Sequence, residues 1–375
     1  MSEANFIPVC EPLLAGRELE YVTKAVSAGW ISSSGGYVKE FEEAFAKYLD
    51  VPLAVTTTSG TAALHLALVA AGIGPGDEVI IPSFTMIATA FAVCYTGAKP
   101  VFVDAQAKTW NIDVTQLASK ISPRTKAILP VHVYGHACDM DALDLLAQEH
   151  QLLVIEDAAE AIGSRYQGKL CGKLGDMSCF SFFANKLVTT GEGGMVAARD
   201  ERFADRLRYY KNLCFPLKGP RRYLHEDIGF NYRMPNVLAA IGLAQLERVD
   251  FYLENRRRNA AYYGERLAGQ RGITTPPNEP YTLNSYWMYG ILIEDDFGPT
   301  RDEVMTLLRD AGIDTRSFFV SMHRQPALAK YGCDVGGAYP VSDELARKGL
   351  YLPSGSGLRE EELSRVVDTL LSLRR

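Results

Sequence analysis

Leu152-Leu153-Val154-Ile155-Glu156-Asp157-Ala158-Ala159-Glu160 sets an apolar run directly against three carboxylates. A short apolar run of this kind reads as a strand buried on both faces, with acids at its C-terminal end, where open α/β sheets hold their ligands. Toward the N-terminus, further short apolar runs stand at residues 53–55, 79–81, 101–103 and 127–131. Helix-like stretches separate them, such as residues 61–71 and Met140–His150, and the turn Gly72-Ile73-Gly74-Pro75-Gly76-Asp77 ends one helix before the next strand. Strand and helix in repeated alternation predict an α/β fold whose mostly parallel central sheet is flanked by helices.

Downstream the pattern changes. Residues 237–267 read as one long helix with no strong breaker before Gly264, suited to linking two lobes, to a subunit interface or to plain surface packing. Pro276-Pro277-Asn278-Glu279-Pro280 then marks a turn, followed by an expected strand over 287–293 and helices over 301–311 and 360–373. A chain of 375 residues exceeds the usual size of one core. The expected division is a large domain over 1–250 and a smaller C-terminal α/β domain over 251–375, with the N-terminal segment packing on the smaller one.

Composition narrows the function. Hydrophobic residues make up 47% and charged residues 22%, and the net charge is −6. A mildly acidic chain carries no electrostatic footprint for nucleic acid or an anionic membrane. Seven scattered cysteines, none spaced as CxxC, argue against a disulfide framework or a metal site. Residues 1–12 show no basic-then-apolar leader, and no apolar run is long enough for a membrane helix, so the expected location is the cytoplasm.

Three features carry chemistry. Carboxylates after a strand are by themselves more often caps or metal ligands than catalytic groups. Phe180-Ser181-Phe182-Phe183-Ala184-Asn185-Lys186 places a lone lysine in an aromatic segment. Burial there would lower its pKa and free a nucleophilic amine, whereas an isolated lysine more commonly snorkels to solvent. Thr56-Thr57-Thr58-Ser59-Gly60-Thr61 runs from a strand into an Ala/Leu-rich helix, either a simple cap or an anion site of free amides. In this order on a parallel sheet, phosphate cradle, acid and buried lysine together match the needs of pyridoxal phosphate. Gly163-Ser164-Arg165-Tyr166-Gln167-Gly168-Lys169-Leu170 has the spacing of a nucleotide-phosphate loop, but Leu170 stands where a hydroxyl should hold magnesium and no strand precedes it.

With Pro130-Val131-His132-Val133-Tyr134-Gly135, Gly229-Phe230-Asn231-Tyr232-Arg233-Met234 and Gln245-Leu246-Glu247-Arg248-Val249 added, the chain resembles the DegT/DnrJ/EryC1/StrS sugar aminotransferases over almost its whole length. The resemblance implies the fold type I aminotransferase architecture and pyridoxal 5'-phosphate as cofactor. It implies that Lys186 bonds the cofactor aldehyde and later carries the proton, that Asp157 pairs with the ring nitrogen, and that Glu160 lies near the ring hydroxyl. Gly60, Thr61 and Ser181 would hold the phosphate, and Asn231 would reach it from the partner subunit of a homodimer. Arg233 would be near the same site or in ordinary packing. Met86 occupies the position where relatives stack an aromatic residue on the ring, so either Met86 or the neighbouring Phe84 would take that place. His132 and His323 recur in cleft-lining motifs, with a structural role preferred for each. The relatives that remove a sugar hydroxyl have histidine at the position of Lys186. The implied reaction moves an amino group from L-glutamate to the 4-keto carbon of a nucleotide-linked 4-keto-6-deoxy sugar for O-antigen or another glycan, with no metal. GDP-4-keto-6-deoxymannose is the first choice and a dTDP- or UDP-linked sugar the alternative. A non-catalytic cofactor-binding regulator is the competing class.

Overall fold

The structure, a computed structural model, describes residues 6–217 and 223–375, so residues 1–5 of the N-terminal reading lie outside the described residues. The larger sheet begins with β1 (Leu53–Thr57), β2 (Glu78–Pro82), β3 (Lys99–Val103), β4 (Thr125–Ile128) and β5 (Leu153–Asp157). A short hairpin of β6 (Arg165–Tyr166) and β7 (Lys169–Leu170) follows, and then β8 (Met177–Ser181) and β9 (Gly194–Ala198) return to the sheet. The seven strands lie in the order β1-β9-β8-β5-β4-β2-β3. Strands β3, β2, β4, β5 and β8 pair in parallel, and β9 runs antiparallel to both β8 and β1. The expected mostly parallel α/β sheet is therefore present, with one reversed strand. No helix lies between β8 and β9, and a connection without a crossover helix turns a strand back on its neighbour.

Side-chain alternation divides the apolar content between the two faces. Val79, Ile81, Ile155 and Cys179 enter one core, and Ile80, Val154 and Phe180 enter the other. The same period of two fixes the acids: Asp157 follows Ile155 onto its face, and Glu156 follows Val154.

A second sheet has its own core. Strands β10 (Ile273–Thr274), β11 (Thr282–Leu283), β12 (Tyr289–Ile293), β13 (Arg316–Ser317) and β14 (Gly349–Leu352) complete the set. All but β11 form an antiparallel sheet in the order β10-β12-β14-β13, while β11 joins the β6–β7 hairpin. Val304 and Leu308 of the helix Arg301–Asp310, and Leu363, Val366 and Leu370 of Glu360–Ser372, bury against this sheet's core. The N-terminal segment docks there too: the Ile7 N–H donates to Gly312 O (2.8 Å), and the Asp314 N–H donates to Ile7 O (2.9 Å).

The single helix expected over 237–267 is two helices, Asn236–Leu246 and Val249–Leu267. Arg248 departs from helical geometry between them (φ −114°, ψ 12°). Both helices share one core of the larger sheet through Ala239, Leu246, Val249 and Leu253, and beyond it their packing diverges, which no breaker residue announces. Ala240 and Ala244 of the first pack with Tyr21, and Tyr263 and Leu267 of the second enter the core of the smaller sheet. The apparent nucleotide loop is the β6–β7 turn, where Gln167 (φ 47°) and Gly168 (φ 82°) both take the left-handed conformation of a tight hairpin. The seven cysteines are free, and among the described residues no helix is long and apolar enough to cross a membrane.

Candidate active site

A cavity of about 310 Å³ opens beside the C-terminal ends of β5 and β8 and the start of the helix Gly60–Ala70, with Trp287, Phe319 and Tyr351 also in its wall. Gly60, Thr61, Met86, Asp157, Glu160, Ser181 and Lys186 all line it. Asn231 does not line this cavity; it is exposed and bridged through its backbone to Asn212.

Lys186 is the amine of the site. Phe180 and Phe182, both fully buried, anchor the segment that precedes it. Its side chain is only 11% exposed, with Nζ 3.8 Å from Glu160 Oε1 and 3.4 Å from the centre of the Trp287 ring. The amine therefore turns inward and does not snorkel to solvent. Burial lowers its pKa, and the nearby Glu160 and Asp157 carboxylates oppose that shift.

Asp157 is held rigidly. The Thr89 hydroxyl donates to Oδ2 (2.9 Å), and the Ala159 N–H donates to Oδ1 (3.2 Å). Burial pushes this carboxyl up, against those two hydrogen bonds. Glu160 Oε2 accepts the Tyr134 N–H (2.8 Å), and burial pushes its carboxyl up to about 7 while Lys186 pulls the other way.

The cradle forms where the helix Gly60–Ala70 begins. Ser59 caps it by accepting the Ala62 N–H (3.1 Å), leaving the helix start with its partial positive charge beside the cavity. A β-carbon on Gly60 would stand 2.7 Å from Ser181 Cβ, so glycine is required for these two elements to meet. Met86 is 47% exposed and lines the cavity. Phe84 is fully buried among Tyr134, Phe318 and Phe319 and is not among the lining residues. Of the two candidates for covering the ring, only Met86 is in place.

Both histidines belong to buried networks. The Cys138 N–H donates to His132 Nδ1 (3.1 Å), which leaves the ring proton on Nε2 to donate to Glu156 (2.9 Å). Glu156 also accepts N–H bonds from Gly172, Leu174 and Gly175. His323 Nδ1 meets Ser83 Oγ (2.7 Å), and its ring stacks on Tyr339 at 4.4 Å. Thr89 and Trp287 complete the site, and no local sequence signal points to either. Thr89 is an ordinary-looking helix position, and Trp287 lies about a hundred residues beyond Lys186 along the chain.

These residues fit pyridoxal phosphate. A buried amine with a lowered pKa can bond an aldehyde, a fixed carboxyl can meet a ring nitrogen, and a capped helix start packed closely on a serine can hold a phosphate. Comparison with known proteins agrees. The model of the DegT/DnrJ/EryC1/StrS aminotransferase family matches residues 12–371. The GDP-perosamine synthase of Caulobacter vibrioides is 46% identical, with 99% of each chain aligned. Among solved structures, S. venezuelae DesV in complex with a ketimine intermediate has a TM-score of 0.89 at 37% identity, covering 96% of this chain and 95% of the other. The PLP-form of the putative sugar aminotransferase Spr1654 from Streptococcus pneumoniae has a TM-score of 0.91 at 28% identity, covering 98% of each chain.

Proposed function

The chain belongs to the DegT/DnrJ/EryC1/StrS aminotransferase family, and on that premise we propose that it aminates the 4-keto carbon of GDP-4-keto-6-deoxymannose with nitrogen from L-glutamate, giving GDP-perosamine. It is a pyridoxal-phosphate-dependent sugar-nucleotide aminotransferase. The choice of sugar rests on the near full-length 46% identity to a GDP-perosamine synthase. The observation that carries the catalytic reading is the inward-facing Lys186 amine in one cavity with Asp157 and the Gly60 cradle.

Bound pyridoxal phosphate supplies an electron-withdrawing ring on which an amino group is held between donor and acceptor. The remaining work falls to side chains. Lys186 Nζ would be the amine that holds the aldehyde, and, once freed by the donor, the group that takes the proton from the donor's α-carbon and, in the second half, delivers one at C4 of the sugar. Burial lowers the pKa of this amine, which favours the neutral form that accepts a proton. Asp157, fixed by Thr89 and Ala159, would hold the ring nitrogen, and Glu160 would face the ring hydroxyl. Gly60, Thr61 and Ser181 would bind the phosphate, and Met86 would cover the ring.

A homodimer with its sites at the subunit interface belongs to the same reading. Asn231 is exposed, and Ile228, three residues before it, is 90% exposed, as suits a segment that packs against a second copy. The division at residue 250 assigns the larger sheet to the cofactor and the smaller to closing the cavity. We place the enzyme in the cytoplasm, supplying an amino sugar for O-antigen or a related glycan.

The test is an assay of the purified protein with L-glutamate against GDP-, dTDP- and UDP-linked 4-keto-6-deoxy sugars. Amination of the GDP sugar with 2-oxoglutarate release is the expected result. Preference for a dTDP or UDP sugar would overturn the substrate, and the lack of any glutamate half-reaction would overturn the enzyme reading in favour of a binding protein.

A further inference from the structure

We propose that Trp287 is a positioning residue for Lys186, its ring face holding the side-chain amine inside the cavity while that amine is free to carry a proton. The inference rests on the reading of Lys186 as the proton carrier. Lys186 Nζ lies 3.4 Å from the Trp287 ring centre, closer than its 3.8 Å approach to Glu160. A cation over an aromatic face is attracted by the ring's quadrupole, most strongly for tryptophan and where water is excluded.

The ring is fixed at both ends. Its Nε1–H donates to the carbonyl of Asn185, the residue just before Lys186 (2.9 Å). Its own carbonyl accepts from Arg256 Nη1 (2.8 Å), and Arg256, 3% exposed, is itself anchored on Ser356 Oγ (3.0 Å). Trp287 is 4% exposed and stacks near Tyr134 at 6.1 Å. The ring cannot swing aside without breaking the bond that also pins the backbone of the Lys186 segment.

Other charged and titratable groups surround the amine. Glu160 and Asp157 face it from the end of β5 and the turn beyond, Cys10 approaches from the N-terminal segment, and Glu192 and Tyr351 line the same cavity. Cys10 Sγ is engaged with the Asn185 carbonyl (3.4 Å) and Arg256 Nη2 (3.1 Å). The attraction of the carboxylates depends on their own protonation. The ring's attraction for the ammonium form does not, so it acts on that form whatever the state of the carboxylates.

The test uses full-length, cofactor-free protein. Trinitrobenzenesulfonate labelling of the Lys186 peptide, quantified by mass spectrometry across pH, gives the midpoint of the amine. Trp287→Leu should lower that midpoint by about half a pH unit or more, and Trp287→Phe should restore most of it. An unchanged midpoint in the leucine variant, or a phenylalanine variant shifted as far as leucine, would overturn the proposal. Should the leucine variant fail to fold, the difference in tryptophan emission between the parent and Trp287→Phe serves instead, because Trp30 and Trp110 cancel. That difference should show a step at the amine's midpoint that disappears in Lys186→Gln, and a flat difference would overturn the proposal. Neither readout needs glutamate, a sugar nucleotide or turnover. Failure of the aminotransferase reading would appear in the half-reaction, and failure of this inference in the midpoints.

Discussion

Lys186 and Glu160 form a buried pair in which each side chain sets the other's charge: Nζ and Oε1 lie 3.8 Å apart, at 11% and 4% exposure. Burial disfavours both ions, while their mutual attraction favours them. Burial thus works against the charge on each side chain, and each charge works in favour of the other.

This pair makes stability depend on pH with a definite sign. The Glu160 carboxyl is raised from 4.5 to about 7 in the folded chain. Below the lower value both states are protonated and the contribution is fully present. Between the two, only the folded state keeps the proton, so the contribution of Glu160 falls as pH rises through that window. Glu160→Gln should flatten this part of the profile, measured by urea unfolding of the cofactor-free protein at several pH values. An identical slope in parent and variant would contradict the assignment.

Asp157 is the strand-end acid placed in the cavity by alternation. Asp157→Asn should slow the glutamate half-reaction by about a hundredfold or more. Thr89→Val, which removes the 2.9 Å hydrogen bond to Oδ2 but leaves the acid, should slow it by about tenfold. Stopped-flow absorbance on the loaded enzyme checks both, and a Thr89 variant slower than the Asp157 variant would reverse the proposed order of roles.

The cradle depends on one missing β-carbon. Gly60→Ala would place that carbon 2.7 Å from Ser181 Cβ and force the helix start away from β8. Its Kd for pyridoxal phosphate should rise by about tenfold or more, and a second change, Ser181→Gly, should not restore it if the serine also holds the phosphate as proposed. Equilibrium titration of the cofactor-free protein measures both.

Glu156 stands next to Asp157 in sequence but works on the opposite face. It accepts three backbone N–H bonds and the His132 Nε2–H. Glu156→Ala leaves those donors unpaired in a fully buried place, and should cost about 3 kcal/mol of stability or more. The half-reaction rate per folded molecule should stay near that of the parent. A selective loss of rate without loss of stability would place Glu156 in the chemistry instead.

Much of this architecture is legible along the chain, because the larger sheet is built from local signals. The run 152–155 followed by acids yields both β5 and the site, and the aromatic setting of Lys186 foretells its burial. The features that escape are long-range. The reversal of β9 follows from the lack of a crossover helix, not from its composition. The break at Arg248 carries no proline or glycine. The partners of Asp157 and Lys186, Thr89 and Trp287, come from elements far away in sequence and are recognised only once the chain has folded. Period-two alternation could have separated Asp157 from Glu156 in advance, since it alone decides which acid faces the cavity.

The Lys186 amine is expected to bond pyridoxal phosphate. Borohydride reduction of the loaded protein, followed by digestion and mass spectrometry, tests it directly. The reduced cofactor should be found on the peptide carrying Lys186 and should be absent from Lys186→Ala. Attachment to another lysine, or no attachment at all in protein that has taken up the cofactor, would contradict the account.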